Sequence, residues 1–299
     1  MKTISLFHRK ILRGFLKLSQ SSPIPSLHFL LGEIPIEAKV HLNTFSLFHT
    51  IWSNPHTTAH KVMKYILRMS NNSSVTWSIH VRLLCLLYGL PDPLHLLENE
   101  AVWPKEKWKT LTKTRVTIYH ESNLRSKAES NSKMDFLNVN ALGLTGRPHP
   151  ALHNLATTQD ADKSRVHIKF LAGDFLTGEL LAAQSGGNPI CKLCESENET
   201  TEHIITRCRA LSSVRDRVMP EMLYKVAEIA PRCEILTPNN NTLHRTQFLL
   251  DCTSLNLPQN FRISNQNPRI SEVFKITRDL CYALARERVR KLKKLKSQP

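Results

Sequence analysis

Gly186-Gly187-Asn188-Pro189-Ile190-Cys191-Lys192-Leu193-Cys194-Glu195-Ser196-Glu197-Asn198-Glu199-Thr200-Thr201-Glu202-His203-Ile204-Ile205-Thr206-Arg207-Cys208 carries four potential metal ligands in the pattern C-x2-C-x8-H-x4-C. A two-residue gap lets the thiolates of Cys191 and Cys194 point at one ion, and Gly186, Gly187 and Pro189 let the chain enter so tight a turn. Thr200 is placed to cap a short helix, Glu202 suits its first turn, and Ile204 and Ile205 give it an apolar side. His203 and Cys208 stand five residues apart, which an ideal α-helix would separate, so the last turn must loosen or end before Cys208. Three thiolates and one neutral imidazole would close a tetrahedron around Zn²⁺, the arrangement of a structural site with no open catalytic position. Two other readings compete. Ordinary buried thiols beside a surface histidine is one; a redox C-x2-C is the other, although such a motif opens a helix after a strand and no apolar strand precedes Cys191.

Outward from this cluster the patterning is helical, with almost no alternating stretches and no internal repeat, and it predicts a mainly α fold. Toward the N-terminus, helices are expected over 5–19, with Phe7, Ile11, Phe15 and Leu18 facing the core, over 36–52, and over 57–69. Residues 77–88 read as a fully buried helix closed by Gly89, and 104–131 as a long charged helix with little core. Gly143, Gly146, Pro148 and Pro150 mark a linker, followed by a helix over 160–172 and a short segment at 178–184. Beyond the cluster a helix over 211–229 carries Val214, Val218, Met222 and Val226 at four-residue steps, Phe248 to Leu250 forms a short apolar piece, and a final helix spans 270–296. The expected organisation is 1–70, a connector over 71–142 after the loop Asn71–Ser74, the linker 143–159, a zinc-binding module over 160–236, and a coil with a C-terminal basic helix over 237–299. The coil includes the Asn239–Asn241 loop and the 258–268 segment.

Charge sets the partner class. The 41 Lys and Arg exceed the 25 Asp and Glu by 16, which favours a polyanionic partner, nucleic acid before a membrane surface. In the final helix Val273, Ile276, Leu280 and Leu284 form an apolar stripe. Arg286, Arg288, Arg290, Lys291, Lys293, Lys294 and Lys296 then follow, with one acid, Glu287, and are expected to project into solvent and contact phosphates, or else to form a solubilising tail. Aromatics make up 7% of the chain and are not interleaved with these cations, so low sequence specificity is expected on RNA or DNA. Seven cysteines, an odd number and scattered outside the cluster, suit a reducing intracellular compartment, nuclear or cytoplasmic. No apolar run approaches a membrane span. The basic N-terminal stretch reads as a presequence or as a helix with a basic outer face. His49, His56 and His60, without a nearby thiol or carboxylate, read as surface or packed histidines.

Several stretches together resemble the C-terminal region of the reverse transcriptase of non-LTR (LINE-type) retrotransposons. They are Leu31-Gly32-Glu33-Ile34-Pro35-Ile36-Glu37-Ala38-Lys39, Phe45-Ser46-Leu47-Phe48, Asn140 to Pro150 with Gly-Leu-Thr-Gly-Arg-Pro-His-Pro, Phe170-Leu171-Ala172-Gly173-Asp174, and the cluster with Glu199, Thr200, His203, Ile204, Ile205 and Cys208. The resemblance spans nearly the whole chain and implies that residues 1–70 correspond to a helical, thumb-like segment. No adjacent Asp pair occurs and the eight Asp are dispersed, so the catalytic aspartates of such a polymerase are absent and no enzymatic activity is expected. The expected function is a non-catalytic, zinc-stabilised nucleic-acid-binding region. The alternatives are a protein-interaction module with a structural zinc, or a transposon remnant without a role.

Overall fold

Several helices here begin at a capping side chain or end at a left-handed glycine, and two begin directly after a proline, Pro23 or Pro35. The computed structural model describes residues 2–69, 76–99, 101–229, 242–254 and 268–297. These form α1 (Lys2–Leu16), α2 (Ile24–Leu31), α3 (Ile36–Trp52), α4 (Thr58–Met69), α5 (Trp77–Tyr88), α6 (Pro93–Glu98), α7 (Lys105–Glu129), α8 (Thr158–Leu171), α9 (Gly178–Ser185), α10 (Ser212–Ile229), α11 (Thr242–Leu250) and α12 (Pro268–Lys296). Among the described residues no strand forms, so the mainly helical expectation holds. Thr76 accepts from the Ile79 N–H at the start of α5, and Gly89 ends it in the left-handed region. Thr157 and Asp160 form a capping box on α8. The apolar piece 248–250 closes α11. The expected loops at 71–74 and 239–241, nearly all of the 258–268 coil, and Cys233 lie outside the described residues.

The chain divides into two units, one of Met1–His8 with Ile34–Leu124 and the other of Arg9–Glu33 with Arg125–Pro299. In the first, Phe45, Phe48, Trp52 and Trp108 pack edge to face or stacked, and Trp108 Nε1–H donates to the Phe45 carbonyl at 2.9 Å. Tyr88 Oη sits between His41 Nδ1 at 2.6 Å and His120 Nε2 at 3.0 Å. Two expectations change here. In α7, Trp108, Thr112, Val116, His120, Leu124 and Ala128 are all buried at a stride of four, so the helix carries far more core than its charge suggested; interspersed Thr and His hid the stripe. In α5, Leu83, Leu86 and Leu87 are exposed, because its neighbours α3, α4 and α6 cover only the face with Ile79, Leu84, Cys85 and Tyr88. His49 and His60 are buried, and His49 Nε2–H donates to the Trp103 carbonyl.

In the second unit α12 lies against α8 and α10 and buries Val273, Phe274, Leu280, Cys281 and Leu284. The tract 143–159, read as a linker, lies inside this unit. Its Gly146 N–H donates to the Gly32 carbonyl and its His149 N–H to the Leu30 carbonyl, both at 2.7 Å, and Ala151 is fully buried. Gly32 has φ +65°, and a Cβ there would stand 2.0 Å from the Arg147 carbonyl oxygen, so two of the motif stretches meet at a contact that only glycine permits. Along α1 the expected core face is reversed at three positions: Phe7, Ile11 and Phe15 are 63%, 52% and 71% exposed, whereas Leu12 and Leu16 are buried. The apolar residues of α1 spread over about half its circumference, with Leu12 and Leu16 at one margin of the stripe, so periodicity alone does not choose which part of it is buried.

Candidate metal centre

The knuckle is assembled by backbone. Cys191 N–H donates to the Glu197 carbonyl at 2.9 Å, Glu199 N–H to the Pro189 carbonyl at 2.8 Å and Glu195 N–H to the Cys191 carbonyl at 2.8 Å, while Glu195 takes the left-handed conformation at φ +56° that turns the chain. Thr200 Oγ1 accepts from the His203 N–H at 3.0 Å, as its capping position predicts. From His203 to Arg207 the chain winds as a π-turn, and the Cys208 N–H donates five residues back to the His203 carbonyl at 2.7 Å. This loosened turn brings two residues five apart onto one side, the adjustment their spacing demanded.

One ligand atom from each of Cys191, Cys194, His203 and Cys208 lies within 4.8 Å of the other three. Cys191 Sγ is 3.9 Å from Cys208 Sγ, and Cys194 Sγ is 3.4 Å from His203 Nε2. Tetrahedral zinc with bonds of about 2.3 Å to sulfur and about 2.0 Å to nitrogen separates its ligands by about 3.5–3.8 Å, so the group has the size and the soft donor set of a four-coordinate metal site. Burial pushes the Cys208 thiol up to about 12 and also raises that of Cys191. At Cys194 the effect of burial is outweighed by hydrogen bonding to Ser196, and its thiol is lowered. A metal bound here must displace thiol protons.

Around the four ligands stand groups that spacing did not reveal. His203 Nδ1 lies 3.0 Å from Glu197 Oε1, though not aligned as a hydrogen bond, so a carboxylate backs the imidazole from the side away from the thiols. Arg215 of α10 donates to the carbonyls of Ile204 and Cys208, which the π-turn leaves open. Glu199, only 4% exposed, has Oε1 3.8 Å from Cys191 Sγ and accepts the Gly178 N–H at 2.7 Å, holding the start of α9. The same carboxylate receives Arg288 Nε at 2.8 Å and Nη2 at 2.6 Å, a bidentate pair that ties α12 to the knuckle.

This corrects the reading of Arg288 as a solvent-facing phosphate contact: it is 8% exposed and spent on Glu199. The sequence held a signal, since four residues beyond Leu284 the apolar stripe lands on position 288. Arg290 pairs with Glu287, and Lys291 lies 3.8 Å from the same carboxylate. Arg286, Lys293, Lys294 and Lys296 are exposed and form no ion pair with a carboxylate among the described residues, although Lys294 lies within electrostatic reach of Glu287. None of the described helices is long and apolar enough to cross a membrane. No known protein family, curated protein or solved structure matches the chain.

Proposed function

We propose that this chain is a zinc-stabilised, non-catalytic region that holds RNA or DNA by electrostatics, in the manner expected of the C-terminal part of a non-LTR reverse transcriptase. The observation that carries the reading is the division of labour on α12. Arg288 points inward to Glu199 beside the candidate metal ligands, while Arg286, Lys293, Lys294 and Lys296 point outward and form no ion pair among the described residues. A closed Cys3His set favours Zn²⁺ and a structural role, and its binding free energy would hold the platform from which the cations project.

Metal analysis and salt-titrated binding to mixed-sequence oligonucleotides test the proposal together. One Zn²⁺ per chain is expected, lost in Cys194→Ser and kept in Cys85→Ser. If about three cations neutralise phosphates, log affinity falls against log salt with a slope of about −2 to −3. Absent or salt-insensitive binding would overturn the electrostatic reading, and equal zinc in Cys194→Ser would overturn the ligand set. Exposure of Phe7, Ile11 and Phe15 supports a second reading, a protein-interaction module with a structural zinc. Capture of a protein with little salt dependence, and without nucleic-acid binding, would favour it.

A further inference from the structure

A cleft of about 980 Å3 runs along the second unit between α8, α10 and α12. Its α12 wall includes Asp279, Tyr282, Arg286, Val289, Arg290 and Lys293, which lie on one broad face of the helix. Arg288 lies off that face, so the turn of helix that anchors to Glu199 also presents the cleft wall. Across from it stand Arg217 and Val218 of α10 and Lys163 and Val166 of α8.

Charge in the cleft is unbalanced. Five cations face two acids, and two of the cations are already engaged, Lys163 with Asp279 at 2.6 Å and Arg290 with Glu287. Arg217, Arg286 and Lys293 have no carboxylate partner among the described residues. Between them the lining is apolar and aromatic: Val166 and Val218 are half-buried, Val289 is 47% exposed, and the Arg286 guanidinium lies 5.7 Å over the half-buried Tyr282 ring.

We propose that this cleft binds a short single-stranded stretch of nucleic acid, with phosphates on Arg217, Arg286 and Lys293 and a base against Tyr282 and the valine lining. The inference rests on the nucleic-acid reading above and sharpens it. Duplex presents phosphates but keeps its base faces stacked away, so it has no use for an apolar floor; an unpaired strand offers phosphates and base faces together, which is what this lining complements. An acidic peptide would use the cations but bring no flat base face to the Tyr282 ring and the valine lining. Arg217 and Tyr282 thereby become binding residues that the basic run 286–296 did not identify.

The test uses the full zinc-loaded chain and measures affinity for a short mixed-sequence single strand, for the same sequence as duplex, and for an oligoglutamate of equal charge. Tighter binding of the single strand is expected. Tyr282→Leu, which keeps apolar volume while removing the ring, should weaken single-strand binding about 5- to 100-fold and change duplex binding little. Arg217→Gln, at an exposed position, should reduce the magnitude of the single-strand salt slope by about 0.7. Lys61→Gln, at an exposed position outside the cleft, should leave the strand preference intact. Salt-dependent binding with duplex preferred, with oligoglutamate competing equally, or with both cleft variants unchanged would overturn the cleft while leaving the electrostatic reading standing. No nucleic-acid binding at any salt would overturn both.

Discussion

At the scale of single residues, His167 shows what burial does to a titratable group. It is fully buried, its Nε2–H donates to the Leu250 carbonyl at 2.6 Å, and its Nδ1 has no partner. Burial, chiefly, holds its pKa down to about 3. The unfolded chain takes this proton near pH 6.5, so between 6.5 and about 3 the unfolded state binds more protons and stability falls as pH falls, by up to about 1.4 kcal/mol per unit. Asp251 acts in the same sense: burial would raise its carboxyl, but His149 and the donors Thr253 and Asn138 hold it below the ordinary range. Chemical denaturation at several pH values should therefore show a steep loss below 6.5. His167→Gln, which retains a donor for Leu250, should flatten it; an unchanged slope would mean that His167 is already charged in the folded state. None of this was legible in the sequence, where His167 is one of fourteen histidines. Its neighbours His149, Asp251 and Arg278 come from distant segments.

At the scale of elements, α12 joins two chemistries through one buried ion pair. Removing Arg288 would leave Glu199 charged and buried, which costs about 3–5 kcal/mol. Glu199 also holds Gly178 and touches Cys191, so its displacement should loosen a metal ligand. Arg288→Ala is expected to lower thermal stability and to weaken zinc affinity about 10- to 100-fold, the usual effect of losing a group that supports a ligand. The double variant Glu199→Gln with Arg288→Met should recover part of the stability, since no charge is then stranded. Competition with a chromophoric chelator reads the affinity, and equal affinity in wild type and Arg288→Ala would show that the pair is independent of the metal. Two helix ends were legible beforehand, Gly89 closing α5 and Thr200 capping the turn into His203, because such groups act within a few residues of themselves; the caps Thr76 and Thr157 emerged only in the structure. The face that each helix buries was not always legible. α7 conceals a stride-of-four core line among lysines, and α1 offers a wide apolar stripe of which the structure buries the margin with Leu12 and Leu16.

At the scale of the whole molecule, a metal held by the candidate cluster should act on structure well beyond those four residues, because Arg215 links the π-turn to α10 and Arg288 links the knuckle to α12. Chelation is expected to raise hydrogen exchange over residues 186–229 and in the last three turns of α12, while the aromatic core around Trp52 and Trp108 stays protected. Exchange rising equally in both units would show that the metal supports the fold as a whole. By itself the sequence determined the mainly helical class, the four residues that gather as a candidate metal site and the need for a loosened turn before Cys208, and the apolar stripe of the last helix from Val273 to Leu284. These follow from short-range constraints: capping, ligand reach, and the 3.6-residue period. Only the tertiary structure decided that the glycine- and proline-rich tract around Gly146 pairs with Gly32, that Arg288 serves Glu199 rather than solvent, and that Tyr282 and Arg217 share a cleft. Each of these depends on a partner far along the chain, 89 residues away for Arg288 and Glu199, and a local pattern carries no information about which distant group will arrive to desolvate or neutralise it.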